Sequence, residues 1–236
     1  MELWMLDGTR LILGTLILMY ASYTDIKTRH ASNSLWVIMG VAGIVLLAIQ
    51  YIFIGNINIW YLVFIPIIIV MMYALFQMRL IFGGADAKAM MALAVLVPLT
   101  PSLNNIPLWT SLMPWSWVIF ANSVILFLAI PISLIVYNAS KRDLSMPYAF
   151  LGYKMKVEDA KKKFVWPLEK LVDGKRKFSR IPEDFDESSY LKAFEDAGIN
   201  EIWVTPKIPF MIPLLAGFLA AFFLGDLITA LMQTIL

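Results

Sequence analysis

The sequence predicts an α-helical polytopic membrane protein with six transmembrane helices and a small α+β water-soluble insert between the fifth and the sixth. Three observations lead there. Of the 236 residues, 60% are hydrophobic and 15% are charged, against about 45–50% and 25% in soluble domains. Residues 31–78 and 89–140 carry no charge at all, and a membrane passage needs only about 20 apolar residues. Residues 138–207, by contrast, hold 14 of the 19 Lys and Arg and 12 of the 17 Asp and Glu. The expected domains are therefore membrane helices over 1–137, a soluble insert over 138–207 and a last membrane helix over 208–236.

Span 1 covers about residues 4–23. It reads as a retained helix, because Glu2 and Asp7 stand where a signal peptide carries its basic region, and no small-x-small site precedes the polar turn. Asp7 and Arg10, spaced i, i+3, are placed to pair at the interface. A polar turn at 24–33 leads into span 2, about 34–54. Gly55-Asn56-Ile57-Asn58 breaks the chain. Span 3 follows over about 59–77, with Pro66 inside it. Met78-Arg79 turn into span 4, residues 80–99, which Asp86 and Lys88 interrupt. From residue 86 to 99 the helix would be only about 20 Å long, so either the span is short or Asp86 lies in or at the edge of the apolar layer. An aspartate there costs roughly 2.5–3.5 kcal/mol and marks a functional position.

Residues 98–114, with four prolines and Trp109, read as an interfacial loop with an aromatic anchor. Span 5 covers about 115–137, with a kink at Pro131. In the insert, 157–164 reads as a short basic helix. Residues 168–178 read as a hairpin around Asp173-Gly174. Residues 182–197 read as a helix with an acidic start, ended by Gly198, and 200–205 as a strand. Span 6 runs from about 208 to near the C-terminus, with Pro209 and Pro213 early and Asp226 late, at the opposite interface. No internal repeat is present.

The chain has no cysteine, which excludes disulfides, a Cys nucleophile and Cys-based zinc or iron–sulfur sites. Its one histidine, His30, reads as a surface residue, and a His-rich metal site is excluded with it. No metal, cofactor or nucleic-acid partner is expected. If the turns at 24–33 and 78–88 share a side with the insert, that side holds 18 of the 19 Lys and Arg. The positive-inside rule puts it in the cytoplasm and both termini outside.

Two carboxylates then stand out on that side. Asp25 ends span 1 and Asp86 begins span 4. A pair of carboxylates at one depth is what an aspartyl protease needs: one polarises the scissile carbonyl, the other activates water, and the pair shares a proton. The plainer reading is that each interacts with a helix end. Gly83 and Gly84 leave the backbone before Asp86 bare, for an extended peptide or for close helix packing. Lys88, two residues on, does not share a helix face with Asp86; it is either a charge partner across the bundle or a snorkelling interfacial residue. Arg29 reads as an interfacial anchor. The 14 methionines are scattered apolar filler. The basic runs at 161–163 and 175–177 either touch anionic lipid or solvate the insert. The acidic run at 183–187 either attracts a basic peptide or starts a helix.

Gly83-Gly84-Ala85-Asp86-Ala87-Lys88 resembles the G-x-G-D-x-K signature of type IV prepilin peptidases and of the wider G-x-G-D intramembrane aspartyl proteases. Asp25 through Arg29 to Asn33 resembles the D-x-x-x-R-x-x-x-N run that carries their first catalytic aspartate. Residues 208–216, Ile-Pro-Phe-Met-Ile-Pro-Leu-Leu-Ala, are similar to their I-P-F-x-P-F-L-A segment with one residue inserted. Size, six spans and the insert most resemble the archaeal preflagellin peptidases of methanogen type. The chain departs from the pattern at Ala85, which replaces the second Gly, and at Ser32, which replaces a Pro. It also lacks the Cys-rich zinc region of the bacterial enzymes, so no N-methyltransferase activity is implied. The resemblance implies Asp25 and Asp86 as catalytic residues, with Gly83, Gly84, Ala85, Lys88, Arg29, Asn33, Pro209 and Pro213 as substrate-binding or supporting residues. It implies a preflagellin or prepilin-like precursor as partner within the lipid bilayer, its short basic leader cut at the cytoplasmic face. Two other readings use the same residues: a proton- or cation-coupled transporter built on the Asp pair, and a non-catalytic scaffold of the archaellum or pilus base.

Overall fold

The computed structural model describes residues 2–28, 30–55, 57, 59–78, 83–104, 106–172, 174–179 and 187–235. Largely apolar sequence gives the long helices α1 (Leu3–Thr28), α2 (Asn33–Phe53) and α3 (Ile59–Gln77), followed by the shorter α4 (Gly84–Leu96). After a proline-rich loop come α5 (Trp115–Phe127) and α6 (Ala129–Ser140). The mixed region holds α7 (Tyr148–Leu151), β1 (Tyr153–Lys156), α8 (Val157–Ala160), β2 (Val165–Pro167), β3 (Glu169–Val172), β4 (Lys175–Phe178), α9 (Glu187–Asp196) and β5 (Glu201–Pro206). The chain closes with α10 (Met211–Phe223) and α11 (Leu227–Ile235).

Four stretches are long and apolar enough to cross a membrane: Leu3–Thr28, Asn33–Phe53, Trp60–Gln77 and Trp115–Ser140. α4 and α10 have 13 residues each and so reach about 20 Å, short of a ~30 Å hydrocarbon layer. The chain divides into two compact units, Met1–Phe127 with Pro209–Leu236, and Leu128–Ile208.

In the first unit α4 is the inner helix. It packs against α1, α2, α3 and α5 and buries Ala87, Ala89, Met90, Ala92, Leu93, Ala94 and Leu96. Its alanines let the neighbours close in. Across from it Gly43 of α2 lies so near that a Cβ there would meet the Leu96 Cα at 2.8 Å. α10 packs along α5 and α1. α3 turns Ile68 and Met72 inward and leaves Trp60, Val63, Ile67 and Val70 exposed, an apolar outer surface suited to lipid.

At the end where α1 begins, Asp7 and Arg10 pair at 2.7 Å, as their spacing predicts, and the pair is buried. Burial is tolerable because both charges have further partners. Arg10 donates to Gln50 Oε1 at 2.8 Å, and the Ser102 amide donates to Asp7 Oδ2 at 2.9 Å. That second bond pins the proline-rich loop. Trp109 fixes the same loop through its backbone, donating to the Leu224 carbonyl and accepting from the Asp226 amide.

The fifth hydrophobic stretch is broken near Pro131, as expected: α5 and α6 meet at Leu128, because the Pro131 ring conflicts with the carbonyl four residues earlier, that of Phe127. Two expected elements differ. The last stretch is not one helix. Gly225, at φ 104°, adopts a conformation that suits glycine, and Asp226 caps α11 by accepting from the Ile228 amide and the Thr229 hydroxyl. The helix expected over 157–164 stops at Ala160, because Val165–Pro167 pairs with β5.

In the second unit β5 is central, antiparallel to β1 on one side and β2 on the other, with Met155 opposite Ile202 and Pro167 opposite Val204. Met155, Val165, Ile202 and Val204 face Leu191 and Phe194 of α9, and Ala149, Leu168 and Trp203 form a second small core. The expected hairpin is β3–β4, with Glu169 opposite Phe178. The buried Glu169 carboxylate accepts from Arg176 at 2.5 Å and from the Trp203 amide at 3.1 Å. Lys154 binds Asp143, which holds that carboxyl below its ordinary range. Arg29, Arg79, Asp173 of the expected turn and residues 183–186 of the acidic run lie outside the described residues.

Candidate active site

α1 ends, and α2, α4 and α10 begin, at one end of the helical unit. Side-chain bonds join these termini in two pairs. Ser22, in the penultimate turn of α1, donates to the Met211 carbonyl at the start of α10 at 3.1 Å. Lys88, in the second turn of α4, donates to Oδ1 of Asn33, the first residue of α2, at 2.8 Å.

Asp25 sits in the last turn of α1, half-buried, three residues beyond Ser22 and hence on the same helix face. Asp86 sits in the first turn of α4, also half-buried. The two carboxylates lie within electrostatic reach of each other. Residues 61 positions apart in sequence are thus gathered at one end of the bundle.

The start of α4 explains its glycines unequally. Gly83 is the N-cap, in extended conformation (φ −87°, ψ 107°), and offers no side-chain cap. The Asp86 carboxylate folds back over it, so that a Cβ on Gly83 would overlap Asp86 Oδ2 and Cγ. At Gly84 a Cβ would meet only the edge of the Phe76 ring, at 3.3 Å. Ala85 is half-buried against the main core.

Pro209 and Pro213 shape the other contributor. Pro213 lies in the first turn of α10, where a backbone N–H would have no intrahelical partner, so its absence costs nothing. Pro209 stands just before that helix. They fix the turn whose Met211 carbonyl receives Ser22. Arg29 lies outside the described residues. Among the described residues no three His, Cys, Asp or Glu side chains gather as metal ligands.

Sequence reasoning left Lys88 between two roles; the geometry directs it to Asn33. It treated Gly83 and Gly84 alike; only Gly83 is overlaid by the carboxylate. It placed Asp226 at an interface without a task; the residue caps α11. The Gly225-Asp226 pair, a helix stop followed by a helix start, was the signal for that break.

Two carboxylates at the same end of one helical unit are the kind of groups that acid–base attack of water on a peptide carbonyl requires. Comparison with known proteins agrees in kind. The model of the type IV leader peptidase family matches residues 12–137, and the archaeal peptidase A24 C-terminus type II model matches residues 144–227. A protein named preflagellin peptidase from Methanococcus voltae is 31% identical, over 93% of this chain and 96% of its own length. Those so named from Methanocaldococcus jannaschii and Methanococcus maripaludis are 26% and 28% identical, over 95% and 91% of this chain and 97% and 94% of their own lengths.

Proposed function

The chain belongs to the type IV leader peptidase family, and on that footing we propose that it is an aspartic endopeptidase that removes the short basic leader from a preflagellin or prepilin-like precursor. The observation that carries this reading is the juxtaposition of Asp25 and Asp86 at one end of the helical unit. In the proposed reaction one carboxyl, protonated, hydrogen-bonds the scissile carbonyl. The other, ionised, takes a proton from water as the oxygen attacks the carbonyl carbon. The tetrahedral intermediate collapses as the leaving amine takes up a proton and the C–N bond breaks. Gly83, without a side chain, lets the Asp86 carboxylate fold over the start of α4. The scissile segment is unwound or lies outside its helix, since an intact helix keeps its carbonyls in internal bonds.

The protein is a multi-pass membrane protein. In the finer proposal α4 and α10 are the fourth and sixth of six spans, both short, and the end that carries the aspartates faces the cytoplasm together with residues 138–207, both termini lying outside. The excess of Lys and Arg on that side supports this orientation. Purified protein reconstituted in lipid, given a full-length preflagellin, converts it to a product that lacks the leader by mass and N-terminal sequence, in EDTA as well as without it. An unchanged precursor, or an Asp-dependent proton or cation flux in its place, would overturn the proposal.

A further inference from the structure

α4 is held to α2 at two places on one side. Towards its end, Gly43 of α2 lies against the backbone of Val95 and Leu96. Near its start, Lys88 Nζ bonds Asn33 Oδ1 at 2.8 Å. Residues 88 and 95 are seven apart, two helical turns, so both contacts fall on the face that meets α2. Asp86 precedes Lys88 by two residues, about 200° round the helix, and its carboxylate folds over Gly83 and within reach of Asp25. Asp86 and Lys88 are the charged residues of α4, and they point to different neighbours.

Asn33 is only eight residues beyond Asp25, across the short link between α1 and α2. The Lys88–Asn33 bond therefore ties the start of α4, which carries Asp86, to the start of α2, eight residues along the chain from Asp25. Asn33 presents a neutral, directional amide oxygen. Lys88 is exposed, so its removal leaves little empty space in the core.

We infer that Lys88 is a positioning residue: through Asn33 it holds the first turn of α4, and with it Asp86, in register with Asp25, and takes no proton in the reaction. This rests on the reading of Asp25 and Asp86 as the reacting pair. Such register matters because a misplacement of about 1 Å costs on the order of a hundredfold in rate.

The test is a double-mutant cycle on leader removal with Lys88→Met, Asn33→Leu and the pair together. Each single variant lowers kcat by about a hundredfold with little change in KM and no change in thermal midpoint. The double variant loses no more than either single one, because both break the same bond. Asn33→Asp, which keeps an acceptor for the ammonium, loses far less than Asn33→Leu. A second readout needs no activity. With Asp25→Cys and Asp86→Cys in a chain that otherwise has no cysteine, a short bifunctional thiosulfonate bridges the two sites severalfold less in Lys88→Met than with Lys88 present. Multiplying losses, a loss confined to KM, or equal bridging with and without Lys88 would overturn the inference. If wild-type protein fails to cleave at all, the function assigned above falls, and the bridging yields still decide whether Lys88 sets the register.

Discussion

A methyl group on residue 83 would stand where the Asp86 carboxylate now lies, whereas one on residue 84 would only press on the edge of Phe76. The two glycines therefore make different predictions. Gly83→Ala forces Asp86 out of place and lowers leader removal by about a hundredfold, the usual scale of an ångström's misplacement. Gly84→Ala moves a ring edge and costs much less. Rates for the two variants, at matched thermal midpoints, check this; normal cleavage by Gly83→Ala would mean that the glycines serve only helix packing. That a bare backbone precedes Asp86 was legible in the sequence. Which glycine the Asp86 carboxylate covers was not, because it depends on the rotamer of a side chain three residues on. Likewise Lys88 showed as a cation two residues from Asp86, but its partner Asn33 lies 55 positions away, and spacing within one helix carries no information about a neighbour on another.

The helices themselves were legible where long hydrophobic stretches dominate, as in α1, α2 and α3, and their ends were legible at Gly55 and the proline-rich loop. The breaks inside apolar stretches were harder. Pro131 announces a kink, yet the helix parts at Leu128, because the proline ring acts on the carbonyl four residues earlier. Gly225-Asp226 divides the last stretch for capping reasons, which hydropathy alone does not register. This gives Asp226 a capping task, unlike the catalytic one proposed for Asp25. Asp226→Ala removes the cap of α11 and costs about 1 kcal/mol of stability, seen as a lower thermal midpoint, while leader removal by the folded protein continues. Loss of cleavage without loss of stability would move Asp226 into the chemistry. The buried Asp7–Arg10 pair carries a similar lesson. Its i, i+3 spacing showed the pairing, but its burial depends on Gln50 and Ser102, which only the closed bundle brings near.

For the molecule in its membrane, the two halves of the charge pattern were plain from composition: apolar helices on the one hand, and residues 138–207 with most of the Lys and Arg on the other. The number of passages was less plain, since α4 and α10 are only 13 residues long, and a short inner helix has the same composition as a crossing one. Orientation is directly testable because the chain has no cysteine. A single cysteine in place of Ser111, in the proline-rich loop, is labelled by an impermeant maleimide from outside intact cells; one in place of Glu158, in the insert, is labelled only after the membrane is opened. The reverse pattern would invert the proposed topology. The central claim is that Asp25 and Asp86 act as one catalytic pair, and its most direct measurement is leader removal from preflagellin by Asp25→Asn and by Asp86→Asn, each reconstituted in lipid and matched to wild type in thermal midpoint. Both variants are predicted to leave the precursor uncut. Near-normal cleavage by either one would contradict the pair.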